Sequence, residues 1–376
     1  MPELYDLSPL GRILMVAMTL ALAPLAWVWY RHRRATPLRR LQALTLLTLF
    51  LTLDLVMFGA FTRLTDSGLG CPDWPGCYGN TSPIGAHGAI AAAQSLMPDG
   101  PVTHGKAWIE MVHRYLATGI GALILLLAVV IWLDWLRRDQ RPRISAINPA
   151  WPIVTLLWIG VQGAFGAWTV TMKLFPAVVT LHLIGGMVLL SLLCAQFLKL
   201  APLQEAPARV PLRTGLRRLL LATFGLLLAQ AVLGGWVSAN YAVLACADFP
   251  KCQNSWWPLM DFAQGFEVWR ELGVTSAGIP IDFSALTAIH YVHRLMAVVV
   301  LAALGLLTMR LNNVLALRRH SRWLAGFTAL QLATGLSNVI LAWPLLGAVL
   351  HTGATGALVV IMTWALLEST TAPGDT

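Results

Sequence analysis

Four of the nine histidines have the positions that most directly indicate chemistry. They lie inside apolar segments, about six residues from the segment start: His113, His182, His293 and His351. At a helical rise of about 1.5 Å per residue, each imidazole lies roughly 9 Å from the end of its segment. An ionisable side chain inside such a segment costs free energy and is a functional candidate. Two imidazoles at one depth on two helices suit the axial positions of a haem iron, so we predict haem ligation.

Other interpretations of the histidines are weaker. A single buried histidine is more often a hydrogen-bonded core residue, but four at matched depth, in two pairs, favour ligation. A non-haem metal is disfavoured because no carboxylate or cysteine accompanies the second pair. His290, one turn before His293, is expected to have a local, non-ligand role. The other histidines singled out are expected to be solvated loop residues: His32, His87, His104 and His320.

Glu110 marks a difference between the two halves of the sequence. It precedes His113 by three residues, so both side chains lie on one face of a helix. His290 stands in the equivalent place before His293. A carboxylate beside one candidate iron site only implies one reactive and one supportive site, which makes Glu110 the candidate catalytic residue. The alternative is an i,i+4 ion pair between Glu110 and Arg114.

Two cysteine pairs share the spacing C-x5-C, and an aromatic-rich loop follows each pair: Cys71 with Cys77, and Cys246 with Cys252. Five intervening residues allow a disulfide within a loop if the Cα atoms come within about 7 Å. Such a bridge would stiffen its loop, and beside a haem it could also exchange thiols or relay electrons; the spacing leaves both open. Cys194 lies deep in an apolar segment and is expected to act as a small apolar residue.

The composition indicates which elements position these residues. The chain has 376 residues, 57% hydrophobic and only 11% charged, whereas soluble domains carry roughly 25% charged residues. This excludes a water-soluble enzyme, a disordered protein and a secreted disulfide scaffold. Nine apolar segments are each long enough to cross a bilayer core of about 30 Å. They are 11–30, 42–62, 107–136, 151–172, 177–200, 217–238, 287–310, 322–342 and 345–367.

The positions of the basic residues predict the orientation. Most of the 26 Lys and Arg residues fall in alternate loops, within 31–40, 137–143, 199–218 and 310–322. Loops rich in Lys and Arg stay in the cytoplasm, so the N-terminus is expected outside and the C-terminus in the cytoplasm. The net charge of +9 thus follows from the orientation of the chain in a lipid bilayer and does not indicate nucleic-acid binding. The cysteine pairs then lie outside, where disulfides persist.

The chain also resembles itself. Phe58-Gly-Ala-Phe and Leu233-Gly-Gly-Trp each precede a cysteine pair, and Gln162-Gly-Ala-Phe-Gly matches Gln331-Leu-Ala-Thr-Gly. Each unit has four spans, so the repeat is parallel, unlike an inverted transporter repeat. We therefore predict an all-α polytopic membrane protein of two pseudo-symmetric four-helix transmembrane bundles plus one extra N-terminal helix. The predicted domains are 1–41 (helix and basic loop), 42–200 (first bundle), 201–216 (linker), 217–367 (second bundle) and 368–376 (tail).

At the level of motifs, the chain resembles the haem A synthase family. The match rests on TRLTDSGLGCPDWPGC at 62–77, EMVHR at 110–114, ADFPKC at 247–252 and HYVHR at 290–294, with His182 and His351. It covers about 42–367. Family members have eight spans, so the additional N-terminal helix departs from the pattern, as does the length of the loop 63–106.

The resemblance implies an activity and a cofactor. Members of the family oxidise the C8 methyl group of haem O to a formyl group through a hydroxymethyl intermediate, which gives haem A for cytochrome c oxidase. The implied ligands are His113 and His182 for the substrate haem O, beside catalytic Glu110, and His293 and His351 for a resident haem b.

The resemblance also implies a location, the bacterial inner membrane. It implies haem O synthase and cytochrome oxidase assembly factors as partners, together with an electron acceptor that the sequence does not name. A homo-oligomer is compatible with the sequence. A dihaem b-type membrane cytochrome that only transfers electrons is the alternative function. A transporter ranks last, because the polar residues gather at the outer end of the spans.

Overall fold

The computed structural model describes residues 8–136, 147–200 and 209–372, which are mostly helical. The helices are α1 (Leu10–Arg31), α2 (Pro37–Leu64), α3 (His87–Leu96), α4 (His104–Leu136), α5 (Ala150–Thr171), α6 (Pro176–Lys199), α7 (Thr214–Ala239), α8 (Phe262–Gly265), α9 (Phe283–Asn312), α10 (Arg318–Ile340) and α11 (Leu345–Glu368). Two short strands, β1 (Val210–Leu212) and β2 (Ser369–Thr371), pair in parallel. The predicted all-α fold class is confirmed.

Eight of the helices in the described residues are long and apolar enough to cross a membrane: α1, α2, α4, α5, α6, α7, α9 and α11. The chain is a multi-pass membrane protein. The ninth predicted span, 322–342, is also helical, as α10, but is not among these eight. Basic residues at its start (Arg318, Arg319) and polar residues along it (Gln331, Ser337, Asn338) account for its lower hydropathy.

The chain divides into two compact units by the proximity of its Cα atoms. The first is Met1–Met172 with Val188–Pro207, and the second is Lys173–Met187 with Ala208–Thr376. The boundary falls inside α6, so His182 belongs to the second unit. The predicted domain limits 42–200 and 217–367 stay predictions.

In the first unit, α1 packs against α4 through small residues. Ala17 and Ala21 are buried on α1. A Cβ atom placed on Gly119 of α4 would lie 3.6 Å from the Cβ of Leu20. Small residues let two membrane helices approach closely, so the extra N-terminal helix is an integral part of this unit. Further along, α1, α2 and α4 share an apolar core that includes Val28, Leu44 and Leu127.

In the second unit, α7, α9, α10 and α11 are the counterparts of α2, α4, α5 and α6. Each carries a fully or almost fully buried leucine: Leu220, Leu304, Leu324 and Leu358. The two strands join the start of this helix set to its end, with Val210 opposite Ser369. Arg217 of α7 strengthens the junction by donating a hydrogen bond to the carbonyl of Ser369 at 2.6 Å.

The expectation that His320 is a solvated loop residue is wrong. Because α10 begins at Arg318, ahead of the predicted 322, His320 lies in its first turn and is only 2% exposed. Its ring packs edge-on against Trp364, with centroids 4.3 Å apart. Its Nε2 lies 3.4 Å from a carboxylate oxygen of Glu368.

The segment 63–106, predicted from the sequence as a loop, contains α3. His87 and His104 begin α3 and α4, and their ring centroids are 4.5 Å apart.

Candidate functional site

Three of the four span histidines pack against a glycine of a neighbouring helix. An ideal Cβ on Gly59 of α2 would lie 3.1 Å from Cε1 of His113, and one on Gly234 of α7 would lie 3.1 Å from Cε1 of His293. The corresponding distance from Gly335 of α10 to His351 is 3.2 Å. A side chain at any of these positions would push against the imidazole. The missing side chains let each ring lie directly against a helix backbone.

In the second unit, His293 and His351 have amide and hydroxyl partners. The Nε2 of Gln230 lies 3.1 Å from Nδ1 of His293, and it also donates to the His293 carbonyl at 3.1 Å. The Nε2 of Gln331 lies 3.1 Å from Nε2 of His351. The hydroxyl of Thr334 lies 3.0 Å from Nδ1 of the same ring. Side chains of α7 and α10 therefore orient the histidines of α9 and α11.

The donor set of these histidines fits a haem iron. His293 and His351 are partly buried and close enough for electrostatic interaction. Axial ligation requires only two such imidazoles. In the part of the chain that the structure describes, no three His, Cys, Asp or Glu side chains converge as they would around a metal ion. The Nδ1 of His182 is buried and has no hydrogen-bond partner among the described residues.

Glu110 lies where α4 meets the first cysteine loop. One carboxylate oxygen accepts a hydrogen bond from the backbone N–H of Cys71 at 2.7 Å. The other forms an ion pair with Arg114. Glu110 is 4% exposed, so both contacts are shielded from water. The i,i+4 ion pair considered from the sequence is present, and the carboxylate is one helical turn from His113.

The predicted cysteine pairs both form disulfides. Cys71 joins Cys77 with Cα atoms 4.9 Å apart, and Cys246 joins Cys252 with Cα atoms 4.7 Å apart. The cysteines of the first pair are fully buried in a small apolar cluster, together with Ile90, Ala107 and Met111. Each bridge is therefore packed beside the helix that carries a candidate iron ligand.

The two disulfide loops have the same internal construction. Arg114 donates to the carbonyls of Asp73, Pro75 and Gly76, and Arg294 donates to those of Cys246, Asp248 and Lys251. An aspartate caps each loop. Asp73 accepts from the backbone N–H groups of Tyr78 and Gly79, and Asp248 accepts from those of Gln253 and Asn254. Hydrogen bonds from Asn254 and Gln253 hold the pKa of Asp248 below its usual value. The arginine that follows each histidine thus links its helix to its loop.

His290 makes the contacts in the second copy that Glu110 makes in the first. Its Nδ1 lies 3.3 Å from the backbone nitrogen of Cys246 and its Nε2 lies 3.2 Å from Nε of Arg294, and a neutral imidazole accepts one of these two hydrogen bonds. Both ring nitrogens are therefore engaged with the loop and the arginine. The negative charge is present in the first copy only, because a neutral imidazole with one acceptor nitrogen replaces the carboxylate.

Sequence reasoning missed the residues that orient the histidines. Thr334 and Gly335 stand in the repeated Gln-x-x-x-Gly segment, and Gly59 and Gly234 stand in the other repeated segment. The repeats were therefore a usable signal. Gln230 had no such signal, because the matching position of the first copy is Leu55. Sequence reasoning also missed Arg270, which is 2% exposed and donates to the side-chain oxygen of Asn240.

The fold and these residues define a class of protein: a multi-pass helical membrane protein with a repeated unit of histidine, arginine and disulfide loop. The family described as "Cytochrome oxidase assembly protein" matches residues 42–364. "Heme A synthase" of Shewanella oneidensis is 39% identical over 323 residues, 84% of this chain and 92% of that protein. "Heme A synthase" of Rhizobium etli (strain CFN 42) is 30% identical over 356 residues, 88% of each chain.

This chain belongs to the heme A synthase family. The matched region begins at residue 42, so α1 lies outside it.

Proposed function

We propose that this protein is a membrane oxidoreductase of haem A biosynthesis that oxidises the C8 methyl group of haem O to a formyl group. Family membership supports the pathway. The observation that best supports this reaction is the single carboxylate. Glu110 lies one turn from His113, whereas neutral His290 occupies the matching position before His293. A site with a base and a site without one suit a reactive haem and a supportive haem.

We assign the resident haem b to His293 and His351. The glycine contacts of both rings and the hydroxyl partner of His351 support this assignment. When bound, a haem b supplies one-electron transfer. On the substrate side, we assign His113 as an iron ligand of haem O. His182 as the second ligand stays a prediction from the sequence.

Glu110 is the proposed proton acceptor. Conversion of a methyl group and one water to a formyl group releases about four protons and four electrons in two steps, so the site needs a base. Its hydrogen bond from Cys71 and its ion pair with Arg114 engage one lone pair on each oxygen, and a carboxylate has about four. The electrons leave to an acceptor outside this chain.

The remaining expectations become part of the same proposal. The family resemblance favours the bacterial inner membrane, and the basic loops favour an N-terminus outside and a C-terminus in the cytoplasm. Haem O would come from the enzyme that makes it, and haem A would pass to the proteins that assemble cytochrome oxidase.

Extracted haems test the proposal directly. The protein is expressed with a haem O source, and the haems are separated by chromatography. We expect haem A from the unaltered chain and about 100-fold less from Glu110→Gln, since a lost general base typically costs about 10²–10⁴ in rate. His290→Gln, at the matching position of the second copy, is the control and should keep producing haem A. Normal haem A from Glu110→Gln would remove Glu110 from the reaction.

A dihaem electron-transfer cytochrome is the second candidate. It is favoured by one observation: His290 makes the same two contacts as Glu110, so that position can serve to anchor the loop alone. The same extraction distinguishes the candidates. Only unmodified haems, with haem O supplied, would support the cytochrome and contradict the oxidase.

A further inference from the structure

We infer that Thr334 is a positioning residue for His351: it holds the proton on Nδ1, leaves Nε2 as the iron-binding atom, and lowers the reduction potential of the bound haem. This inference rests on the proposed assignment of a haem b to the second unit. It goes beyond that assignment because Thr334 would touch neither iron nor substrate.

The hydroxyl of Thr334 identifies the direction of its hydrogen bond to His351. A threonine hydroxyl has one proton. That proton is directed back along α10 to the carbonyl of Leu330, at 2.8 Å, as threonines in helices commonly do. Since the proton is used there, the hydroxyl oxygen must accept at Nδ1 of His351, 3.0 Å away. Nδ1 therefore carries hydrogen. Thr334 is only 6% exposed, so water does not compete for this contact.

The contacts of Nε2, the other ring nitrogen of His351, also place the ring proton on Nδ1. The amide nitrogen of Gln331 donates to Thr355 at 3.0 Å, and it lies 3.1 Å from Nε2 of His351. An amide nitrogen can only donate, so Nε2 must accept, and a bound iron would take the place of the Gln331 amide at this lone pair. The hydroxyl of Thr355 in turn donates to the His351 carbonyl at 3.1 Å.

The opposite orientation of the Gln331 amide is less favourable. Its Oε1 is buried without a hydrogen-bond partner in the described part of the chain. Exchanging oxygen and nitrogen would put two N–H groups in that place, and buried N–H groups without partners are rarer than carbonyls without them. The orientation with Nε2 of His351 as acceptor is therefore favoured, because it leaves a carbonyl oxygen and not two N–H groups without a hydrogen-bond partner.

The first copy lacks this arrangement. In the repeated segment, Phe165 stands where the second copy has Thr334, and a phenyl ring has no hydroxyl to accept a proton. His182, the counterpart of His351, has a buried Nδ1 with no hydrogen-bond partner among the described residues. The two halves thus differ in the support of a ligand as well as in the carboxylate of Glu110.

A hydrogen bond from the far nitrogen of a ligating imidazole has a known consequence. It fixes the ring and its tautomer and makes the ligand more basic. A more basic ligand stabilises ferric iron over ferrous iron, so the hydrogen bond to Thr334 lowers the reduction potential. Loss of such an outer partner typically costs about 10–100-fold in metal affinity or activity.

The test compares three variants of the full-length, haem-loaded protein in detergent. Thr334→Val removes the acceptor with little change of shape, Thr334→Ser keeps it, and Gly326→Ala on the same helix, with nothing within 4 Å of its Cβ, is the control. Haem absorbance is followed in a redox titration, and low-spin ferric haem is examined by electron paramagnetic resonance.

We expect Thr334→Val to keep a bis-histidine spectrum while its midpoint moves to a more positive potential, so that the ferric-to-ferrous ratio at a fixed potential falls several-fold. Thr334→Ser and Gly326→Ala should match the unaltered protein. If the valine variant does not accumulate, Thr334→Ala against Thr334→Ser makes the same comparison.

An intact spectrum with an unchanged midpoint in Thr334→Val would overturn the inference and leave the haem b site standing. Equal shifts in the valine and serine variants would also overturn it, because packing and not the hydroxyl would be responsible. A wild-type protein without any histidine-ligated haem b would instead refute the proposed haem assignment itself.

Discussion

At the residue scale, three of the four span histidines are tightly constrained by packing against a glycine. The Cβ positions on Gly59, Gly234 and Gly335 lie 3.1–3.2 Å from the ring carbons of their histidines. Contacts of this length require the ring to move by a few tenths of an ångström when a methyl group is added. Ring position, and not only ring identity, is therefore fixed by the neighbouring helix.

Gly234→Ala should weaken haem retention in the second unit. The added methyl would overpack the ring of His293, and overpacking typically costs about 1–3 kcal/mol. Haem content and the absorbance spectrum after purification measure the effect. Gly225→Ala on the same helix has nothing within 4 Å and should keep its haem. Equal haem content in both variants would contradict the steric argument.

Asp248 gives the second disulfide loop a pH dependence. Its pKa is lowered by the backbone N–H groups of Asn254 and Gln253. A carboxylate with a lowered pKa stabilises the folded loop above its unfolded pKa of about 3.9, and this contribution is lost as the pH falls through the folded value. We expect proteolysis within 246–255 to accelerate below about pH 4.

Asp248→Asn should remove that pH dependence, since the side chain no longer titrates. Glu271→Gln, an exposed acid in the same long loop, should retain it. A pH profile that is the same in the Asp248→Asn variant and in the unaltered chain would assign the dependence to another group.

At the scale of elements, the arginine after each histidine connects a ligand-bearing helix to a disulfide loop. Arg114 and Arg294 each donate to several loop carbonyls. A guanidinium has five N–H donors in a fixed plane, whereas a lysine ammonium is a point charge. The helix and its loop should therefore move together.

Arg294→Lys should loosen the loop 246–255. Hydrogen bonds to charged groups contribute about 1.5–3 kcal/mol, so amide exchange in the loop should rise by roughly 10-fold or more. Hydrogen exchange with mass spectrometry measures it. Arg310→Lys, near the other end of α9, is the matched control. Unchanged exchange in the Arg294→Lys loop would show that the disulfide and Asp248 hold it without the arginine.

The sequence predicted elements better than contacts. The pairing of the cysteines follows from spacing along one segment, and the apolar segments are helical as predicted, whereas the membrane depth of the four histidines stays a prediction. Thr334, Gln230 and the glycines act across two helices, so their roles depend on packing that spacing within one helix does not contain. His320 was misplaced because the start of α10, rich in arginine, reads as a loop.

At the scale of the whole molecule, the additional N-terminal helix is part of the packing of the first unit. The buried face of α1 carries Ala17 and Ala21 against α4, and the C-terminal half of α1 shares a core with α2 and α4. A helix that only anchored the chain in lipid would not bury such a face.

Gly119→Leu should destabilise the first unit. A Cβ at position 119 is already in contact with Leu20 and the carbonyl of Ala17, so the rest of a leucine side chain would crowd α1, whereas a Cβ at Gly121 on the same helix meets nothing within 4 Å. We expect a loss of about 1–3 kcal/mol, seen as a lower midpoint of thermal unfolding in detergent. The haem spectrum assigned to the second unit should be unchanged. Equal midpoints for the two leucine variants would indicate that α1 is only loosely associated.

The pairing of β1 with β2 brings the beginning and the end of the α7–α11 segment side by side, with Leu212 opposite Thr371. A polypeptide whose ends meet can be cut elsewhere and resealed, because boundaries of this kind tolerate circular permutation. A crossover linker of about a dozen residues would join 372 to 209, because the two strands are parallel, and new termini could be opened in the short turn between α10 and α11. The helix order along the chain would change while every helix kept its neighbours.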